Sequence, residues 1–232
     1  MSRIILVRHG QTAGFMTGAY NTLTDNGRAQ GAAVGRSWAA AGFRPDRILC
    51  GPQPRHQQTL QQAQDAAGGD WPKGEPWDAF DEHAGAGVAL LAIPQLADRG
   101  HALAQKMVAG ETLHGRERAG LFREAMRAWI RGEVAAPGEE SFVDFRLRVE
   151  AGLRTLAGQL RPDETAAVFT SAGSVAASSG GVLGAQAMAV MELSWSVMNG
   201  SITTFRIDRQ KQPMLLRFNA VHHLPTSIQT YV

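Results

Sequence analysis

One cysteine, three lysines and two tyrosines are all that 232 residues supply of those types, and the first two shortages exclude specific chemistry. A lone thiol, Cys50, rules out an internal disulfide framework and a metal site built from clustered cysteines, so a reducing, cytoplasmic compartment is expected. With lysine confined to Lys73, Lys106 and Lys211, arginine carries the positive charge. Guanidinium suits planar, two-point contacts with phosphate or carboxylate, although genome composition produces the same bias. The net charge is only +2 and the pI near 9.0 comes from a small excess without a basic tract, which argues against a nucleic-acid partner. A membrane span is also missing, because the Ala/Val/Gly-rich stretch 166–190 is interrupted by Thr170, Ser171, Ser174, Ser178, Ser179 and Gln186. No charged leader with an apolar core and a cleavage site precedes the first strand, so no secretory signal is expected. No internal repeat is visible.

What is present is ordinary for a soluble globular chain, with 44% hydrophobic and 19% charged residues and a length that can bury a sizeable core. The first stretch, Ile4 to Val7, is a β-branched run read as a buried strand, and Arg8, His9 and Gly10 follow its carboxyl end. Thr24 caps a helix that ends near Gly42, and 45–51 reads as a second strand followed by a helix from Arg55. A short strand is expected at Trp77 to Phe80, ahead of Glu82. Residues 88–131 are mainly helical, with a break expected around Pro94, and 142–160 form a long amphipathic helix. A strand at 166–170 leads through Ser171 into a small-residue helix, and strands at 201–207 and 214–218 close the chain. Alternating strands and helices imply a three-layer α/β/α sandwich with a mostly parallel central sheet. We expect a single domain, 1–232, with a helical cap insertion at about 88–136.

Open α/β sheets bind ligands beyond the carboxyl ends of their strands, and four such ends here carry polar residues: Arg8-His9-Gly10, Arg55, Glu82, and Ser171 with Gly173. Singly, each reads as well as an ordinary surface or loop residue. Together with Gln11-Thr12, Leu23-Thr24-x-x-Gly27 with Gln30, Pro54-Arg55-x-x-Gln58-Thr59, Glu140-Ser141 and Asn199-x-Ser201-Ile202-Thr203, they fall in the order that resembles the histidine phosphatase, or phosphoglycerate mutase-like, superfamily. The resemblance covers almost the whole chain. It implies a metal-independent phosphomonoester hydrolase without a cofactor, in which His9 attacks phosphorus and becomes a phosphohistidine. Arg8 and Arg55 clamp the phosphoryl oxygens, with Gln11, Thr12, Ser171 and Ala172 completing the phosphate-binding set, and Glu82 protonates the leaving oxygen and then activates water. The partner is a small phosphorylated substrate or inorganic phosphate, with no nucleic acid and no membrane. A phosphoglycerate mutase is a variant of this reading, but no loop specific to phosphoglycerate is present.

The chain departs from the family pattern in two places. Where members usually carry a second histidine, this sequence has Ser171. A neutral donor in place of a charged one forfeits about 1–2 kcal/mol of hydrogen-bond strength, and a lost oxyanion donor can cost on the order of 10²–10³ in rate. Attenuated activity is therefore expected, with backbone N–H groups at the start of the following helix still able to bind an anion. The alternative is a phosphate- or phosphoester-binding pseudophosphatase. His83, His56, His222 and His223 are the candidates to restore a cation, His83 first because it adjoins Glu82. The second departure is Phe15, at a position where the family has a phosphate-facing asparagine; Asn21 is the substitute from the same loop. A dinucleotide site at Gly180-Gly181-x-x-Gly184 lacks both the spacing and the strand-end position.

Overall fold

A computed structural model describes residues 1–13 and 21–231. Its elements in chain order are β1 (Arg3–Arg8), α1 (Asp25–Ala40), β2 (Arg47–Cys50), α2 (Pro54–Ala67), β3 (Gly74–Pro76), α3 (Gly85–Asp98), α4 (Ala102–Val108), α5 (Gly115–Ile130), α6 (Phe142–Gln159), β4 (Thr165–Thr170), α7 (Ala172–Leu183), α8 (Ala187–Ser196), β5 (Ile202–Ile207) and β6 (Pro213–Ala220). The described residues form two compact units, Met1–Glu82 with Arg146–Val232, and His83–Phe145.

The first unit holds a six-stranded sheet in the order β3-β2-β4-β1-β5-β6. Pairing is parallel among β3, β2, β4 and β1 and antiparallel from β1 through β5 to β6. The side-chain period of two explains why both faces are covered. Ile5, Val7, Ile48, Cys50, Ala167 and Phe169 form one core with Val34 and Trp38 of α1 and Leu60 and Ala63 of α2. The alternate residues Ile4, Leu6, Leu49, Ala166 and Val168 are fully buried on the other face, where α7 contacts β1 and β6. Parallel strands buried on both faces read as continuous apolar runs, which is how β1 and β4 stand out in the sequence. A three-layer α/β/α arrangement follows.

Local chemistry sets the helix limits. The Thr24 hydroxyl accepts the Gly27 N–H at 3.1 Å to start α1, and Gly42 beyond its end takes φ +60°. Three glycines spaced by four, Gly27, Gly31 and Gly35, lie along α1. A Cβ on Gly27 would collide with the Gln11 carbonyl, one on Gly35 with the Ala63 carbonyl, and one on Gly31 would stand 3.0 Å from the Thr59 carbonyl. The stripe lets α1 lie directly against main chain of α2 and of the loop after β1.

Two expectations need correction. The strand anticipated at Trp77 to Phe80 is displaced: the edge strand is Gly74–Pro76, and Asp78–Phe80 form a 3-10 turn. The Trp77 N–H still reaches the Cys50 carbonyl of β2 at 3.0 Å, but beyond it the chain closes into the turn and side chains bind its carbonyls. Thr170 and Ser174 donate to the Phe80 carbonyl at 2.6 and 3.0 Å, and the Arg148 guanidinium donates to the Asp78 and Ala79 carbonyls. No break occurs at Pro94, which lies inside α3 on its exposed side. Proline removes the bond to the carbonyl four residues earlier, and Leu90, which owns that carbonyl, is exposed enough to be hydrated.

In the second unit α3 packs on α4 and α5 through Val88, Ala92, Ile93, Leu121, Ala125 and Met126, all buried. The residues expected to form a cap, 88–136, fall within it. No helix among the described residues is long and apolar enough to cross a membrane.

Replacing Gly35 by Ala drives a methyl into backbone, which cannot move aside as a side chain can. The expected cost is about 1–3 kcal/mol, read as a lower midpoint in urea denaturation against wild type.

Candidate active site

The register of two strands makes the site. Arg8 is paired with Thr170 across β1 and β4, so the next residues, His9 and Ser171, emerge side by side. The His9 N–H donates to the Thr170 carbonyl at 2.8 Å, and the Asn199 amide and the Gly200 N–H both donate to the His9 carbonyl at 3.3 Å. The chain turns at Gly10, where a Cβ would strike the Gly27 carbonyl. Gly10 N–H donates to the Thr59 hydroxyl at 3.0 Å, and that hydroxyl donates to the Arg55 carbonyl at 2.7 Å. One buried threonine thus fixes the strand end bearing His9 to the helix turn bearing Arg55. The loop beyond is held by Gln30, whose oxygen accepts the Gln11 N–H at 2.7 Å and whose amide donates to the Ile228 carbonyl and the Thr230 hydroxyl.

His9 is 1% exposed. Its Nδ1 stands 2.8 Å from the Gly10 carbonyl, which can only accept, so the proton of the neutral ring belongs on Nδ1 and the lone pair on Nε2. Burial, then the positive charges of Arg8 and Arg55, then His56, hold its pKa well below the ordinary histidine value. His9 is therefore neutral near pH 7, with the Nε2 lone pair unprotonated.

Both guanidinium groups are buried. Arg8 donates to the Val197 carbonyl, and Arg55 donates through Nη1 to the Asn21 side-chain oxygen at 2.7 Å and through Nη2 to the Ser171 hydroxyl at 3.3 Å. Ser171 is fully buried at the N-cap of α7. The Glu82 carboxylate accepts the Gly173 N–H at 2.9 Å, so it reaches the same helix start, and Ala172 occupies the first helical position.

Arg8, His9, Arg55, Ser171, Ala172 and Glu82 are thus gathered around the carboxyl ends of β1 and β4. Gln11 and Thr12 are engaged within the loop, since the Gln11 side-chain oxygen accepts from Thr24 at 2.9 Å and Thr12 bridges to Leu23. Phe15 lies outside the described residues, whereas Asn21 reaches Arg55. Of the four histidines considered as replacements, His56 meets Ser171, with Nε2 2.6 Å from Oγ and its ring centroid 5.8 Å from that of His9. His223 stands 3.0 Å from the Gly200 carbonyl with His222 beside it, and His83 packs its ring 5.3 Å from that of Phe145 in the helical unit. Thr59, Gln30 and Asn199 are supports that residue-type reasoning did not assign. Thr59, Gln30 and Asn199 belonged to the ordered motifs, which was the available signal.

A family model for the histidine phosphatase superfamily (branch 1) matches residues 4–87 and 106–220. No curated protein matches the chain. Among solved structures, phosphoserine phosphatase from Entamoeba histolytica, in complex with 3-phosphoglyceric acid, is 21% identical with a TM-score of 0.62, over 97% of this chain and 100% of that one. YhfR of Bacillus stearothermophilus is 16% identical with a TM-score of 0.66 over 97% and 100%. A mycobacterial glucosyl-3-phosphoglycerate phosphatase is 21% identical with a TM-score of 0.62 over 94% and 98%.

Thr59→Val keeps the shape and deletes the bridge, leaving the Gly10 N–H buried without that acceptor. The expected loss is about 1–3 kcal/mol of stability, measured by urea denaturation. Acid is expected to destabilise the fold through His56, whose pKa is lowered to about 3 by burial and by Arg55. The unfolded chain takes up that proton first, so stability is lost as pH falls below about 6.5, at about 1.4 kcal/mol per pH unit. Denaturation between about pH 7 and about pH 5 is expected to show a shallower slope in His56→Gln than in wild type.

Proposed function

The chain belongs to the histidine phosphatase superfamily, branch 1, and from that membership we propose that it is a metal-independent phosphomonoester hydrolase working through a phosphohistidine on His9. The observation that carries the reading is the neutral, buried His9, its Nδ1 tied to the Gly10 carbonyl and its ring flanked by the positive charges of Arg8 and Arg55.

In this mechanism Nε2 of His9 attacks phosphorus while Arg8 and Arg55 neutralise the phosphoryl oxygens. Positioning and charge stabilisation are most of what phosphoryl transfer asks of a protein. Glu82, held at the start of α7 by the Gly173 N–H, gives a proton to the leaving oxygen and afterwards takes one from the water that cleaves the phosphohistidine. Ser171 and the first turn of α7 offer hydrogen bonds to the same group. The guanidinium groups supply the positive charge, so the reading requires no metal and no cofactor. The substrate is a small phosphorylated molecule, and the choice of leaving group is assigned to the helical unit His83–Phe145, in the role of a cap. A cytoplasmic setting belongs to the same reading and is supported by the lone, buried Cys50.

Wild-type protein is expected to hydrolyse a generic aryl phosphate and, after rapid quenching, to carry an acid-labile phosphoryl group that His9→Ala lacks. Glu82→Gln is expected to slow turnover by about 10²–10⁴ while retaining inorganic phosphate binding. Phosphate binding without turnover across a broad substrate panel would establish the pseudophosphatase instead.

A further inference from the structure

The mechanism above leaves one fully buried group beside His9 without a task. The ring of His56 fits only because residue 51 is glycine, since a Cβ there would collide with Nδ1, and Nε2 points at the Ser171 hydroxyl. A hydroxyl has one proton to give and two lone pairs to accept with. One lone pair faces Arg55 Nη2, which can only donate. The other contact, to His56, therefore runs in one of two directions, set by whether Nε2 carries a proton.

While the imidazole is neutral with its proton on Nδ1, Nε2 accepts a hydrogen bond from the Ser171 hydroxyl and so turns that O–H away from any ligand. A dianionic phosphoryl group beside His9 shifts the balance toward the imidazolium, because negative charge nearby raises the His56 pKa. Nε2–H then donates to Ser171 Oγ, and the Ser171 proton is released to face a phosphoryl oxygen. We propose that His56 and Ser171 form a protonatable donor pair for the phosphoryl group, in which His56 carries the positive charge and Ser171 makes the contact. His56 is thus a positioning residue acting through Ser171. The pair rests on the reading that phosphate binds among Arg8, Arg55 and His9. One proton is taken from water on binding and returned on release, and no covalent bond changes in the relay. The charged or titratable groups packed around His56 are Arg55 on its own helix and His9 at the end of β1, while β4 and α7 contribute the uncharged Ser171.

The test is calorimetric titration of inorganic phosphate into His9→Ala, at about pH 6 in buffers of different ionisation enthalpy. The His9→Ala background keeps His9 from supplying the signal. More proton uptake per phosphate in His9→Ala than in the protein that also carries His56→Gln is the expected result. Equal uptake in both proteins overturns the pair and leaves the phosphoryl site standing. Absence of phosphate binding in wild type as well as His9→Ala overturns the site reading and the pair with it. Should His56→Gln fail to fold, ¹⁵N-histidine spectra of His9→Ala answer the same question: a ring that becomes imidazolium on phosphate binding supports the pair, and none doing so overturns it. In turnover, Ser171→Ala and His56→Gln are each expected to lower kcat by about 10²–10³, with the double variant no worse than either single because the two act as one unit.

Discussion

Side-by-side emergence of His9 and Ser171 rests on the parallel pairing of β1 with β4, and everything else in the site is arranged around that pair. β1 is hydrogen-bonded on both sides, to β4 and to β5, so the position of its last residue is fixed by two ladders. A slip of one residue would exchange the two faces of the strand, placing apolar side chains where the site needs polar ones. The burial of Ile4, Ile5, Leu6 and Val7 thus holds the site geometry as well as the core. Arg55 reaches this point from α2 through the Thr59 bridge, and Glu82 through a turn whose carbonyls are bound by Thr170 and Ser174.

Where local signals were strong, the sequence was enough. The β1 and β4 runs, the Thr24 cap and the periodicity of α6 correspond to observed elements, because each is encoded by near neighbours along the chain. The errors arose where a segment is stabilised from a distance. Trp77 to Phe80 has the composition of a strand, but its carbonyls meet Arg148 and Thr170 and no neighbouring strand. Helix α8 was not anticipated, since it is apolar on several sides and short. The expected break at Pro94 is absent because Leu90, four residues earlier, lies on the exposed side of the helix, which sequence does not reveal.

The site was legible as an ordered set of residue types and illegible as a network. Arg8, His9, Arg55, Glu82 and Ser171 stand out only as an ordered set, since each alone reads as an ordinary surface or loop residue. That His56 would meet Ser171, 115 positions away, was not legible, because nothing in helical periodicity distinguishes an inward-facing polar residue at the first turn of α2 from a solvated one. His83 had the better sequence argument, adjacency to Glu82, yet its ring is packed against aromatic neighbours in the helical unit.

The glycine stripe of α1 has a mechanical meaning. At Gly27 and Gly35, main chain touches main chain with no side chain between, and backbone cannot adopt another rotamer to absorb a change of spacing. Helix α1 therefore behaves as a feeler gauge slid between the loop after β1 and the helix that carries Arg55 and His56. The spacing between the strand end bearing His9 and the helix bearing Arg55 is set by atoms that are missing. Changes at this site would accordingly be easier by exchanging side chains around a constant backbone spacing than by altering that spacing.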